Sequence, residues 1–159
     1  MGIKIVELTQ VLANLASVAA AVIGGIALGF AWGQIVAGKE AARESTAYAT
    51  FTSYLEKSVE HPELACVDTP EKMAALAKDP NAETQYGYFV ALMLSASEQI
   101  LSERPGDAGW QRSVQSNLSC HLPFLSGPFV SNKDYESYNC QLRTLIADAT
   151  RNATVLCVP

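Results

Sequence analysis

Between Val11 and Gly38 the chain runs 28 residues without an Asp, Glu, Lys, Arg or His; beyond it, apolar residues recur at steps of three and four. A bilayer core is roughly 30 Å thick and takes about 20 apolar residues as a helix. At ~1.5 Å per residue this run reaches about 42 Å, enough to span with length to spare. Its clearly polar side chains are Asn14, Ser17 and Gln34, and Trp32 sits near the second end, where an amphipathic ring favours the interface. A cleavable signal peptide needs a basic start and a core of roughly 7–15 apolar residues. Here the core is longer, and Lys4 is the one basic residue before it. The pattern predicts a short tail over 1–10, a retained transmembrane helix over 11–38, an extramembrane helical bundle over 39–153 and a tail over 154–159.

Within the bundle, Lys39 to Glu60 continues the helix, with Tyr48, Phe51, Tyr54, Leu55 and Val59 along one face. His61-Pro62 ends it, because proline disfavours helix in the residue before it. Thr69 and Pro70 suit a cap and first position, so a short helix is predicted over Lys72 to Lys78. Glu83 to Glu103 is the strongest soluble helix, with Tyr86, Phe89, Leu92, Met93, Ala96, Ile100 and Leu101 as its buried stripe. Arg104-Pro105-Gly106 stops it, and Asp107 caps a helix carrying Trp110, Val114, Leu118 and Leu122. Pro123 to Asn132 reads as a loop, and Lys133 to Asn152 as the last helix, with Tyr138, Leu142, Leu145 and Ile146 inward. Nothing alternates long enough for a sheet. The predicted fold is all-α: one transmembrane helix running into a small bundle whose short loops imply antiparallel neighbours.

The membrane segment carries a further pattern. Every fourth residue from Ala13 is small: Ala13, Ser17, Ala21, Gly25, Gly29, Gly33 and Ala37, including a tandem G-x-x-x-G. Helices in lipid associate through close backbone approach and van der Waals contact, which such a row permits. Each glycine costs roughly 1 kcal/mol of helix propensity relative to Ala. The row predicts a helix-packing face, with Leu15, Val22, Ile26 and Phe30 lying off it.

Charge and cysteines bear on location. The net charge of −5 and a charged fraction of 17% give no basic footprint, so no nucleic-acid partner is expected. Lys4 precedes the span and Lys39 and Arg43 follow it. That two-to-one count of basic residues narrowly favours a cytoplasmic bundle. Cys66, Cys120, Cys140 and Cys157 match no zinc or haem spacing, so neither metal nor cofactor is expected. Disulfides are the other option for an even count. Cys120 ends one helix and Cys140 begins the next, so a Cys120–Cys140 bridge across an antiparallel turn is expected if the cysteines pair. Bridges of that kind would put the bundle in an oxidising compartment instead. His61 suits a helix end; His121 is adjacent to Cys120, and neighbours on a helix point apart. No phosphate loop, nucleophile elbow or paired-carboxylate motif is present, so no catalytic residue is expected.

The pattern Tyr54-Leu55-Glu56, His61-Pro62-Glu63-Leu64-Ala65, Tyr86-x-x-Phe89-Val90, Glu98-x-Ile100-Leu101, Trp110, His121 and Leu142-Arg143-x-Leu145-Ile146 resembles a loose group of small uncharacterised bacterial membrane proteins. The resemblance covers residues 48 to 148. It implies one N-terminal span followed by a cytoplasmic helical domain in the bacterial inner membrane, and supplies no site residues. The Lys39-Glu40 and Arg43-Glu44 pairs depart from the strongly basic flank that the group leads one to expect. The expected role is a non-enzymatic accessory or scaffolding subunit docking on integral membrane subunits of a larger complex. The alternative is self-association, as a homo-oligomeric sensor or regulatory module.

Overall fold

A computed structural model describes residues 2–127 and 134–151, with side chains described for all of these except 2–9, 11–13, 16 and 134. The expected 154–159 tail, Cys157 and most of the Pro123–Asn132 loop's second half therefore lie outside the described residues. The fold is all-helical, with no strand among the described residues. Helix α1 spans Gly2–Glu60 and is followed by α2 (Pro62–Ala65), α3 (Pro70–Leu76), α4 (Pro80–Glu103), α5 (Ala108–Ser119) and α6 (Leu122–Leu125). A 3-10 turn over Asp134–Ser137 then leads into α7, Cys140–Thr150.

The chain divides into two compact units, Met1–Ala42 and Arg43–Pro159. In the first unit, residues 2–10 belong to α1 rather than to a separate tail. Among the described residues, one helix is long and apolar enough to cross a membrane, and none of its apolar window is buried. Leu28 and Phe30 are 73% and 71% exposed, an arrangement that water would penalise and lipid would not.

The second unit follows its capping residues. Thr69 Oγ1 accepts from the Lys72 amide at 3.3 Å, and Asp107 Oδ1 accepts from the Gly109 and Trp110 amides at 2.8 and 3.1 Å. Helix α4 begins at Pro80, three residues before the predicted start at Glu83. Asp79 caps it through the Asn81 amide at 2.9 Å, the same cap-then-proline arrangement as Thr69-Pro70.

Tyr86, Val90, Met93, Leu94 and Leu101 of α4 are fully buried against Val114 and Leu118 of α5 and Leu142 and Ile146 of α7. Leu92 falls beside this stripe and is 41% exposed. On α1 the inward face is Ala47, Phe51 and Tyr54, one position round from the predicted one, so that Tyr48, Leu55 and Val59 are exposed. Helix α5 stops at Ser119, so Leu122 opens α6 instead of extending α5. The segment expected to be helical from Lys133 is also shorter, because the Asn139 side chain accepts from the Leu142 amide at 2.9 Å and starts α7 at Cys140.

The packing order differs from simple antiparallel neighbours. The end of α1 runs back along α4, with Arg43 Nε 3.4 Å from Glu103 Oε2 and the Tyr54 and Phe89 rings 5.8 Å apart. Helix α5 starts beside the end of α4 and finishes beside Tyr86, whose hydroxyl lies 2.9 Å from His121 Nδ1. Helix α7 starts again at the far end of α4, where the Asn139 amide donates to Glu98 and Asn139 Nδ2 lies 3.1 Å from Ser102 Oγ. So α5 and α7 both oppose α4 and run parallel to each other. The end of α5 and the start of α7 therefore lie at opposite ends of α4, a crossover in the order of the helices.

Candidate functional site

In the first unit the small-residue row lies on the helix surface. Ser17, Ala21, Gly25, Gly29, Gly33 and Ala37 are exposed; Ala13 lies outside the residues whose side chains are described. A methyl group added at Gly24, Gly25, Gly29 or Gly33 would meet nothing within 4 Å. Ile26, Phe30 and Gln34 stand beside Gly29, Gly33 and Ala37 and define a shallow apolar cleft of about 510 Å³. Among the described residues, no atom lies close enough to these glycines for an added methyl group to touch it.

The second unit contains a buried polar centre. His121 is fully buried, with its ring centroid 5.7 Å from that of Tyr86 and 6.0 Å from that of Phe89. Burial pulls its pKa from 6.5 down to about 4, so the imidazole is neutral at pH 7. Burial likewise raises the Tyr86 hydroxyl, which stays protonated. The two share one hydrogen bond through Nδ1, and Nε2 has no hydrogen-bond partner among the described residues. A buried imidazole with one unsatisfied nitrogen is a stability liability that packing has to offset. The sequence placed His121 on a helix beside Cys120 and missed its burial. Pro123 was the available signal for the break, since it lacks the amide that would continue α5 and sits in the first turn of α6. His61 is different: half-exposed, its Nδ1 lies 3.4 Å from Glu63 Oε1 at the end of α1.

Cys120 does not pair with Cys140. It is bridged to Cys66, with Cα atoms 4.5 Å apart. The reason lies in the crossover: Cys120 sits at the Tyr86 end of α4 and Cys140 at the Glu98 end. Twelve residues of α4 separate those anchor points, about 18 Å along the helix axis and far beyond bridging reach. Cys66 follows α2 in extended backbone and meets the end of α5 directly. Cys140 is also disulfide-bonded, and no described cysteine is a free thiol. The Cys120 sulfur is thus committed to a bridge.

Among the described residues, no group of three or more His, Cys, Asp or Glu side chains converges as a metal site would require. Comparison with protein-family models, with characterised proteins and with solved structures finds no match.

Proposed function

We propose that this chain is a non-catalytic, single-pass accessory or scaffolding subunit of a bacterial inner membrane. On this reading it docks on integral membrane proteins of a larger complex through the row Ala13, Ser17, Ala21, Gly25, Gly29, Gly33 and Ala37. The observation that carries the reading is the open surface at Gly25, Gly29 and Gly33, where α1 forgoes helix propensity and no described residue lies within reach of an added methyl group. A second transmembrane helix seated there would recover close van der Waals contact along several turns. Gly29→Leu should therefore leave membrane insertion intact and reduce recovery of partner proteins from mild detergent about tenfold, on the order of 1–2 kcal/mol of helix packing. Undiminished recovery would overturn the reading. A parent protein that crosslinks only to itself points to the homo-oligomeric module instead.

The Cys66–Cys120 bridge bears on which side the bundle faces. Disulfides persist in oxidising compartments and are rare where glutathione and thioredoxin keep thiols reduced. That weighs more than a two-to-one count of basic flanking residues, so the bundle is assigned to the periplasmic side rather than the cytoplasmic one expected from charge. In intact spheroplasts, a membrane-impermeant reductant followed by an impermeant maleimide should label Cys66 and Cys120. Labelling only after lysis would return the bundle to the cytoplasm.

A further inference from the structure

Where α1 between Glu44 and Phe51 meets the start of α5, Glu44, Tyr48, Phe51, Asp107, Trp110 and Ser113 line an open pocket of about 340 Å³ within the second unit. Trp110 lies edge-to-face with both neighbours: its ring centroid is 5.1 Å from Tyr48 at 66° and 5.5 Å from Phe51 at 77°. Rings set nearly perpendicular form a corner of aromatic surface, the arrangement that attracts a cation through the ring quadrupole. Two carboxylates flank that corner. Arg104 lies between them, 3.8 Å from Glu44 Oε2 and 3.5 Å from Asp107 Oδ2. One guanidinium against two carboxylates leaves the pocket with an excess negative charge.

The hydrogen-bonding state of the lining selects among cations. Asp107 Oδ1 accepts from two backbone amides, its Oδ2 faces Arg104, and the Ser113 hydroxyl donates to the Gly109 carbonyl at 3.2 Å. A primary ammonium or a guanidinium has several N–H donors to satisfy and finds Asp107 and Ser113 engaged, which leaves it the exposed Glu44 carboxylate, 3.8 Å from Arg104. An alkylated cation has none; it needs only ring surface and a negative field. We propose that this pocket binds a trimethylammonium group, carried by a free small molecule or by a lipid headgroup. At about 340 Å³ the volume lies at the small end of ligand pockets, in keeping with a head group rather than a whole cofactor.

The test uses the full chain in maltoside micelles with Trp32→Phe, which leaves Trp110 as the remaining tryptophan of two. Tetramethylammonium chloride is titrated against sodium chloride of equal ionic strength while Trp110 fluorescence is read. A saturable change with tetramethylammonium and none with sodium is expected. Tyr48→Leu and Glu44→Gln, both at exposed positions, should each weaken it about two- to fivefold with helicity unchanged, the range of an exposed cation–π contact. A response that fails to saturate, that sodium reproduces, or that both variants retain in full would overturn the proposal. The two sources separate in nanodiscs. Weaker apparent binding in phosphatidylcholine than in phosphatidylethanolamine, which is equally zwitterionic but carries no trimethylammonium, identifies the lipid headgroup as occupant, and equal binding identifies a soluble one.

Discussion

Replacing Cys66 and Cys120 together by serine should cost the second unit about 4 kcal/mol, the largest effect expected of any change in it. The bridge joins residues separated by 54 positions, and the chain-entropy account of cross-linking gives that magnitude for a loop of such length. The loop holds α3, α4 and α5, and α4 supplies much of the core. Few domains have more than 5–15 kcal/mol to lose, so the doubly substituted bundle should unfold at a markedly lower denaturant concentration. Unfolding in detergent micelles, followed by far-UV circular dichroism with and without dithiothreitol, measures this directly. A midpoint that neither the reductant nor the double substitution shifts would mean that the bridge contributes nothing to stability.

Mild acid should weaken the same unit through His121. The folded pKa of about 4 lies below the ordinary 6.5, so the folded state disfavours the proton that the unfolded state takes up. Stability is then complete above about pH 6.5 and declines as the pH falls toward 4. Linkage gives a loss of about 2 kcal/mol between pH 7 and 5 and about 3 kcal/mol by pH 4. The carboxylates held low by hydrogen bonds, Asp68, Asp107 and Glu60, act in the opposite part of the range. Their pKa values are lowered, so their contribution is lost only as the pH falls below the ordinary carboxylate values. Between pH 7 and 5 the buried imidazole dominates. His121→Phe should flatten the profile in that window, although it leaves the Tyr86 hydroxyl without its partner and lowers stability at every pH. A parent protein equally stable at pH 7 and 5 would count against this account of His121.

The helices were legible wherever a cap and a stripe agreed. Thr69, Asp107 and the run from Tyr86 to Leu101 carried enough local information, because an N-cap satisfies backbone amides within its own turn. That α1 is long and apolar enough to cross a membrane was readable from the length of its uncharged run alone. What escaped was the route of the chain between α5 and α7. Short loops suggested antiparallel neighbours, and the Cys120–Cys140 pairing was inferred from that turn. The crossover is decided by contacts distant in sequence: His121 with Tyr86, and Asn139 with Glu98 and Ser102. No local propensity encodes such pairs. The aromatic pocket was hidden for a related reason, since Tyr48 and Trp110 each read as core positions on separate helices and acquire a shared cavity only when α1 and α5 meet.

The bridge between Cys66 and Cys120 has a consequence for biogenesis. A polypeptide delivered across a membrane from its N-terminal side exposes both sulfurs before any of α7 has been released. The covalent ring around α3, α4 and α5 can therefore be sealed by an oxidant while the remainder is still being translated. Helix α7 then arrives as a late strut against a preformed ring, and a ribosome stalled after α5 has emerged should already yield a species that migrates differently without reductant.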